Sequence, residues 1–208
     1  MAENNPEKRL ILASSSPYRK ELLSRLQLSF DVIVPDIDES ARINETPQAT
    51  ALRLAEQKAR AVANTLAYTS PGTVIIGSDQ VATLGTIQIG KPGNHQNALA
   101  QLQMMRGKEV IFHSALCVYQ HHTPTPIIQI ADVQTQVQFR DLPDSELDAY
   151  LRIEQPYDCA GSAKNEGLGI ALIERIDSSD PTALTGLPLI KLTSMLRHAG
   201  VKFFQTEG

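Results

Sequence analysis

The sequence predicts an α/β protein in which residues 1–208 form a single unit, built from one lobe or from two closely joined lobes. Apolar Leu10 to Ala13 leads into a serine-rich turn and then into leucines at helical spacing, which is typical of a strand, a turn and an amphipathic helix. Thr73 to Ile76 is a β-branched run without polar alternation, as expected of a strand that is buried on both faces. No internal repeat or clear linker divides the chain, and 208 residues with 42% apolar content can bury one substantial core.

Start signals predict the first two helices. Ser16 can cap a helix that has Pro17 in its first turn, and Thr46-Pro47 repeats this signal. Lys58 flanks the apolar face of the second helix, so its ammonium group could reach water or turn into a cleft. That apolar face is predicted to consist of Leu52, Ala55, Ala59, Val62 and Leu66.

The later part of the chain alternates between the same two patterns. It predicts a helix over 94–105, strands over 110–119 and 127–139, a helix from Pro143-Asp144-Ser145, a glycine-rich loop between 160 and 169, and a last helix after Gly186-Leu187-Pro188. Asp79 follows the apolar strand that is predicted to end at Ile76, and open α/β sheets bind ligands beyond the ends of their strands. The Asp79 carboxylate is therefore expected at the mouth of the sheet.

The composition narrows the range of partners. A net charge of −4 and an isoelectric point near 5.7 argue against a protein that binds nucleic acid or membranes by electrostatic attraction. The polar segment Met1 to Lys8 lacks the apolar core of a signal peptide, and no apolar stretch of roughly 18 residues occurs. Cys117 and Cys159 lie in apolar or small-residue surroundings, which favours reduced, buried thiols over a disulfide. A cytoplasmic protein is expected.

Two short segments could bind a phosphate group or a metal ion. Ser14 to Arg19 brings hydroxyl groups, a helix start and a guanidinium group together, which suits phosphate, although a capped helix with a surface arginine has the same pattern. Asp36-Ile37-Asp38-Glu39 is an acidic, extended stretch whose alternate side chains could hold Mg²⁺ or Mn²⁺, or it could be a solvated loop.

Three other chemistries are disfavoured. Gly85 to Lys91 has the spacing of a phosphate-binding P-loop, but Pro92 replaces the hydroxyl residue that binds the metal, so a β-hairpin or loop is predicted instead. The histidines do not have zinc-ligand spacing with the cysteines. No Gly-x-Ser-x-Gly motif supports acyl transfer.

Six motifs that follow one another over nearly the whole chain resemble those of the Maf-like nucleotide pyrophosphatases. They are Leu10-Ile11-Leu12-Ala13-Ser14-Ser15-Ser16-Pro17-Tyr18-Arg19, Asp38-Glu39, Gly77-Ser78-Asp79-Gln80-Val81, Gly90-Lys91-Pro92, Ala160-Gly161-Ser162 and Gly186-Leu187-Pro188-Leu189. The resemblance implies a mixed α/β sheet with helices on both sides and a deep central cleft, related to the inosine triphosphate pyrophosphatases. It also implies frequent dimerisation, so a homodimer is among the expected assemblies.

The resemblance implies roles for individual residues. Asp79 matches the family's general base, and Glu39 matches its partner in binding a divalent metal cation, Mg²⁺ or Mn²⁺. The positions that surround the triphosphate are matched by Ser14, Arg19, Lys58 and Lys91. In such a site a carboxylate deprotonates the water that attacks the α-phosphorus, while the metal and the cations neutralise the departing pyrophosphate. Asp180 also matches a recurrent acidic position; its role stays open, and it could cap the turn at Pro181.

Tyr18, Gln80 and Glu166 match the branch of the family that acts on 7-methylguanosine triphosphate. N7-methylated guanine is positively charged, so an aromatic ring can stack on it with a cation-π contribution on the order of 1 kcal/mol. A carboxylate can accept hydrogen bonds from the N1 and N2 edge of the same base. Tyr18 and Glu166 could supply these two groups, although this branch more typically has tryptophan where Tyr18 stands.

The expected function is therefore the hydrolysis of 7-methyl-GTP, or of a related modified nucleotide, to the monophosphate and pyrophosphate. Two other hypotheses stay open: a pyrophosphatase for UTP, dTTP or deaminated purine triphosphates, and a nucleotide-sensing regulator of cell division. An enzyme is favoured because the chain retains Asp79, Glu39, Lys58 and Lys91, and a binding protein has little need for a general base beside the α-phosphate.

Overall fold

The computed structural model describes residues 8–65, 72–122 and 124–204, which form one sheet flanked by helices. The strands β1 to β7 are Leu10–Ala13, Phe30–Ile33, Val74–Leu84, Ile87–Ile89, Glu109–Gln120, Ile127–Phe139 and Ile173–Ser178. The helices α1 to α5 are Pro17–Ser24, Pro47–Thr65, His95–Met105, Asp144–Glu154 and Leu189–His198, and two short 3-10 helices span Ala160–Ser162 and Leu168–Leu172. The predicted α/β class is confirmed. Leu66, which was predicted for the apolar face of the second helix, lies outside the described residues. No helix in the described ranges is long and apolar enough to cross a lipid bilayer.

The sheet is mixed and has the strand order β2-β1-β3-β5-β6-β7, with β4 paired to β3. β1 runs parallel to β2 and β3, and the other described pairings are antiparallel. On one side of β3, pairing with β1 ends at Gly77 and pairing with β4 begins at Ala82. Among the described strands, none pairs with residues 78–81 of β3 on that side, and we call this opening the sheet gap.

The helices cover both faces of the sheet, as the resemblance implies. Successive side chains of a strand point to opposite faces, so Ile75 and Ile76 lie on different sides of β3. The alanines of α2 pack around Ile75 and Cys117 on the first face. α1 and α5 pack on the second face around Ile76 and Leu116, and α3 and α4 pack farther along that face around Phe112.

A polar seam, formed by Ser78, Gln80 and Ser114, separates the two apolar clusters on the second face. The Ser78 hydroxyl donates to the carbonyl of Gly186 at 3.0 Å, and the Ser114 hydroxyl donates to the carbonyl of Ala183 at 2.7 Å. The polar seam therefore fastens the loop that precedes α5 across the centre of the sheet.

Gly77 allows α2 to approach β3 unusually closely. A Cβ atom at this position would lie 2.1 Å from the carbonyl oxygen of Ala55, so a larger residue would push the helix away. Lys58 lies about one helical turn after Ala55, and Asp79 lies on the same face of β3 as Gly77. The close approach thus brings the Lys58 and Asp79 side chains together.

The prediction that the strand ends at Ile76 is wrong. β3 continues to Leu84, because it pairs with β5 from Val74 to Thr83. Asp79 consequently lies in the middle of a strand, although it borders the sheet gap just beyond the end of the neighbouring strand β1. The sequence patterns also leave the short strands β2 and β7 unpredicted.

Candidate functional site

A cleft of about 600 Å³ opens at the sheet gap, bordered by α1, α2, the end of β4 and the loop over 158–166. Most of the residues predicted for the site line it, namely Tyr18, Arg19, Glu39, Lys58, Asp79, Gln80, Lys91 and Glu166. Ser14 is not among the lining residues: it is buried, and its hydroxyl accepts a hydrogen bond from the Ser16 amide at 3.1 Å. Ser14 therefore shapes the turn before α1.

Lys58 joins two carboxylates inside the cleft. Its Nζ atom lies 2.7 Å from Asp79 Oδ1 and 2.8 Å from Glu39 Oε1. The side chains of Lys58 and Asp79 are 7% and 10% exposed, whereas that of Glu39 is 58% exposed. A charge that is removed from water needs such partners, because an unpaired buried charge is strongly destabilising. Of the two predicted orientations, Lys58 adopts the one that turns into the cleft.

Arg19 and Lys91 add two further positive charges. Arg19 Nε donates to the carbonyl of Gly186 at 2.9 Å. Burial lowers the pKa of Arg19, and the two nearby carboxylates oppose this by raising it, so the guanidinium group stays protonated. Lys91 follows β4 and is close enough to Glu39 for its charge to lower the pKa of that carboxyl group.

The two carboxyl groups have opposite pKa shifts. Burial raises the pKa of Asp79 above its ordinary value, and the positive charges of Lys58 and Arg19 offset this only in part. Burial also acts to raise the pKa of Glu39, but the hydrogen bond and the charge of Lys58 outweigh it, so the pKa is lowered. The environment thus favours protonation of Asp79 and ionisation of Glu39, each relative to its ordinary behaviour.

The loop that carries Glu39 is tied to α2 by a second ion pair. Glu45 Oε1 accepts a hydrogen bond from Arg53 Nε at 2.6 Å, and Glu45 Oε2 accepts one from the Thr50 hydroxyl at 2.9 Å. Arg53 Nη2 also donates to the carbonyl of Ser40 at 3.0 Å. The hydrogen bonds from Arg53 hold the pKa of Glu45 down to about 2.

The predicted acidic stretch 36–39 does not converge on the cleft as a unit. Of its acidic residues, only Glu39 is among those that line the cleft. The carboxylate of Asp38 instead accepts a hydrogen bond from the Ser40 amide at 2.9 Å. Residues 34–42 form no strand, so their alternate side chains do not point to one common face as they would in a strand.

The other end of the cleft combines an aromatic ring with acidic groups. Tyr18 lies near Asp158 and Cys159, and its pKa is raised mainly by burial and further by these two groups. Glu166 is exposed at the rim. Cys159 is a free, half-buried thiol whose pKa burial raises to about 11, with smaller contributions from Asp158 and Glu166. The cleft is therefore cationic at one end and acidic and aromatic at the other.

Gln80, which was predicted to bind substrate, uses its amide nitrogen within the polar seam. This nitrogen donates to the hydroxyl of Ser114 at 2.9 Å and to the carbonyls of Ala183 and Leu184 at 3.1 and 3.0 Å. Gln80 thus borders the cleft while it holds the loop that also positions Arg19.

Asp180 caps helix α5. One carboxylate oxygen accepts hydrogen bonds from the amides of Ile190 and Lys191 at 2.7 and 3.3 Å. The other accepts hydrogen bonds from the amide and the hydroxyl of Thr182 at 3.1 and 2.8 Å. Asp180 therefore organises the turn at Pro181, as suggested from the sequence, and also the start of α5, which was not predicted.

Sequence reasoning missed two contributors to the cleft. They are the carboxylate of Asp158 and the carbonyl of Gly186. The motifs at 160–162 and 186–189 indicated the right segments, but a motif does not show which backbone carbonyl or flanking side chain points inward.

The donor groups fit a divalent cation that also binds phosphate. In the described part of the chain, no cluster of three or more His, Cys, Asp or Glu side chains is arranged to hold a metal ion. Asp79 and Glu39 nevertheless converge on the same ammonium group. Mg²⁺ commonly takes one or two carboxylates and completes its shell with substrate phosphates and water.

The chain is similar in sequence to one protein family and to several individual proteins. The family described as Maf-like protein matches residues 9–199. The 7-methyl-GTP pyrophosphatase of Cupriavidus metallidurans is 63% identical over 195 residues, which cover 94% of this chain and 95% of that protein. The 7-methyl-GTP pyrophosphatase of Burkholderia lata is 62% identical over 198 residues, which cover 95% of this chain and 93% of that protein. The solved structure of the Staphylococcus aureus Ham1 protein covers 64% of this chain and 73% of its own, at 15% identity and a TM-score of 0.44.

Proposed function

The chain belongs to the Maf-like protein family, and on that basis we propose that it is a nucleoside triphosphate pyrophosphatase that hydrolyses 7-methyl-GTP to 7-methyl-GMP and pyrophosphate. The observation that carries the proposal is the separation of charge along the cleft. Arg19, Lys58 and Lys91 suit a triphosphate at one end, and Tyr18 and Glu166 suit a positively charged base at the other.

The chemistry starts with a water molecule that attacks the α-phosphorus. Asp79 accepts the water proton as the new oxygen–phosphorus bond forms and the bond from the α-phosphorus to the bridging oxygen breaks. A raised pKa makes the Asp79 carboxylate a stronger base for this step. Lys58 holds the Asp79 carboxylate in place, while Arg19 and Lys91 neutralise charge on the departing pyrophosphate.

A divalent cation, Mg²⁺ or Mn²⁺, is the proposed cofactor. Asp79 and Glu39 would hold it, and it would supply positive charge against the phosphate oxygens. Dialysis against a chelator is expected to abolish pyrophosphate release, and Mg²⁺ or Mn²⁺ is expected to restore it. Full activity of the protein after exhaustive chelation would remove the metal from the proposal.

The base is selected at the acidic end of the cleft. 7-Methylguanine differs from guanine by a positive charge, which favours contact with the ring of Tyr18 and with the carboxylate of Glu166. Asp158, which also lines this end, adds a further negative charge. We therefore expect 7-methyl-GTP to be preferred over GTP mainly through electrostatic complementarity.

The decisive experiment is a measurement of pyrophosphate release across a panel of nucleotides. The panel contains the 7-methylguanosine, guanosine, uridine, thymidine and inosine triphosphates. The highest kcat/KM is expected for 7-methyl-GTP. A preference for UTP and dTTP, or for ITP, would replace this substrate with one of the alternative classes. Tight nucleotide binding without hydrolysis would instead favour a nucleotide-sensing regulator.

We propose that the protein works in the cytoplasm as a homodimer. It acts on a small-molecule substrate and binds neither nucleic acid nor a membrane. Light scattering coupled to size exclusion is expected to give twice the chain mass of 22.8 kDa. A mass equal to one chain at micromolar concentration would contradict the dimer. Fractionation of cells that express the tagged chain tests the location.

A further inference from the structure

Glu39 reaches the cleft from a segment that has no regular secondary structure. Residues 34–46, between β2 and α2, form neither a helix nor a strand. The side chain of Glu39 is 58% exposed, yet its Oε1 atom lies 2.8 Å from Lys58 Nζ. Fixing an exposed side chain costs conformational entropy, and a backbone that is already held in place lowers this cost.

The backbone beside Glu39 is held at two points. The Ser40 amide donates to Asp38 Oδ1 at 2.9 Å, and the Ser40 carbonyl accepts a hydrogen bond from Arg53 Nη2 at 3.0 Å. We call residues 38–40 the Glu39 turn. A carboxylate that accepts a hydrogen bond from the amide two residues later closes a local turn, so the first bond curls the chain around Glu39. The second bond fastens this turn to α2.

The guanidinium group of Arg53 is itself fixed in place. Its Nε and Nη2 atoms donate to the two carboxylate oxygens of Glu45 at 2.6 and 2.7 Å, and Nη1 donates to Gln57 Oε1 at 2.9 Å. The side chains of Arg53 and Glu45 are only 14% and 11% exposed. A planar fork that is bound on every nitrogen cannot turn away from Ser40 without losing several hydrogen bonds.

Helix α2 carries both Arg53 and Lys58. It therefore sets the distance between the Glu39 turn and the ammonium group that joins the two carboxylates. Glu39 and Lys58 are among the residues that line the cleft, whereas Arg53 and Asp38 are not. Arg53 and Asp38 can thus influence the cleft through the backbone that they hold.

We propose that Asp38 and Arg53 are positioning residues that hold the Glu39 turn and so set the affinity of the site for its divalent cation. This inference rests on the proposed function, in which Asp79 and Glu39 bind that cation. In this role neither Asp38 nor Arg53 binds the ion itself. Both act on the Glu39 carboxylate, in the way that groups behind a metal ligand generally fix its orientation.

The first test compares two variants of Asp38 by their affinity for Mn²⁺. Asp38→Ala removes the acceptor for the Ser40 amide, whereas Asp38→Asn keeps one, because an amide oxygen also accepts a hydrogen bond. Both variants lose the same negative charge. Asp38→Ala is expected to raise the apparent Kd for Mn²⁺ about 3–10-fold, the range for one hydrogen bond, and Asp38→Asn should stay within about twofold of wild type.

The electron paramagnetic resonance signal of free Mn²⁺ gives this Kd without any turnover. An equal Kd in Asp38→Ala and Asp38→Asn would overturn the role of the Asp38 hydrogen bond. Wild-type protein that hydrolyses 7-methyl-GTP but binds no Mn²⁺ would remove the cation from the site, and the positioning role with it.

The second test is Arg53→Lys. A lysine keeps a positive charge beside Glu45, but a single ammonium group lacks the fork that reaches both Glu45 and Ser40. The Kd for Mn²⁺ is expected to rise about 3–10-fold. Pyrophosphate release should fall at limiting Mn²⁺ and return to within about twofold of wild type at saturating Mn²⁺. A lower melting temperature with an unchanged Kd would show that Arg53 only stabilises the fold.

Arg60→Lys is the matched control, because Arg60 is another arginine of α2 and pairs with Glu56. It is expected to leave the Kd for Mn²⁺ within about twofold of wild type. An equal rise in Arg60→Lys and Arg53→Lys would contradict a specific role for Arg53.

A double variant tests whether the effect passes through Glu39. Once Glu39→Gln has removed the carboxylate, the addition of Asp38→Ala is expected to cause no further change in the Kd for Mn²⁺. A further rise would overturn this route. The two proposals fail in different ways. Wild-type protein that releases no pyrophosphate from 7-methyl-GTP at any Mn²⁺ concentration would refute the proposed function, whereas an active wild type whose Mn²⁺ affinity is unaffected by Asp38→Ala and Arg53→Lys would refute only the positioning role.

Discussion

At the scale of single residues, Lys58 links the two carboxylates on which the proposed chemistry depends. Its ammonium group is nearly buried and contacts Asp79 and Glu39 at hydrogen-bonding distance. Removal of Lys58 would leave the buried carboxylate of Asp79 without its partner, a change that typically costs about 3–5 kcal/mol. Their arrangement leaves Asp79 as the group that can gain a proton and Lys58 as the group that fixes its position.

Replacement of Asp79 by asparagine is expected to lower kcat by about 10²–10⁴-fold, the range for loss of a general base. The fold should be retained, because asparagine is nearly isosteric and Glu39 still pairs with Lys58. Steady-state kinetics together with thermal unfolding check both expectations. Asp31→Asn, which changes an exposed carboxylate on β2, is the control and should keep wild-type turnover. Unchanged kcat in Asp79→Asn would exclude Asp79 from the mechanism.

Replacement of Glu166 by glutamine is expected to reduce the preference for 7-methyl-GTP over GTP by about 3–10-fold. The amide keeps the shape of the side chain but loses its attraction for a positively charged base. The ratio of the two kcat/KM values is the quantity to measure. Glu174→Gln, at an exposed position on β7, provides the comparison. A ratio that does not change would mean that another group reads the base.

Most of the site residues that were predicted from the sequence line the cleft, but the contacts that hold them in place could not be predicted. Asp79 and Lys58 stand out because a charge that interrupts or borders an apolar pattern is unusual. Their contact depends on the close approach of α2 at Gly77, which no local pattern reveals.

At the scale of secondary structure elements, the long elements were predictable and the short edge strands were not. α2 and β5 carry strong apolar periodicity that local reasoning recognises. β2 and β7 lie at the edges of the sheet and are largely exposed, so their sequences lack a continuous apolar pattern. β3 was predicted too short because its pairing with β5 overrides the weak strand preference of Gly77 and Asp79.

The start of α5 provides a test at this scale. Asp180→Ala removes a carboxylate that caps α5 and closes the preceding turn, and we expect the free energy of unfolding to fall by about 1–3 kcal/mol. Urea denaturation at neutral pH measures this loss. Asp177→Ala, at an exposed position on β7, should change the value by less than about 0.5 kcal/mol. Equal stability of the two variants would argue against the capping role.

At the scale of the whole molecule, the ion pair of Glu45 with Arg53 links stability to pH. The pKa of Glu45 is lowered to about 2 in the folded chain, below its ordinary value of 4.5. A lowered pKa stabilises the fold above the ordinary value, and this contribution is lost as the pH falls towards about 2. Glu45→Gln should therefore lower the melting temperature near neutral pH, and its difference from wild type should shrink on acidification.

The measurement is a series of melting temperatures for both proteins between about pH 7 and pH 3. Glu21→Gln on α1, which breaks an exposed pair with Arg25, controls for the loss of a surface charge. A difference between Glu45→Gln and wild type that stays constant over the whole series would show that the carboxylate contributes through packing alone.

Hydrogen exchange of the backbone amides at the sheet gap should also report whether a ligand is bound in the cleft. Residues 78–81 of β3 have β5 on one side but, among the described strands, none on the other. Amide deuterium uptake in a peptide that spans these residues should therefore be faster than in the doubly paired stretch from Val74 to Gly77. Slower uptake after a nucleotide is added would locate the ligand at this opening without any mutation or label.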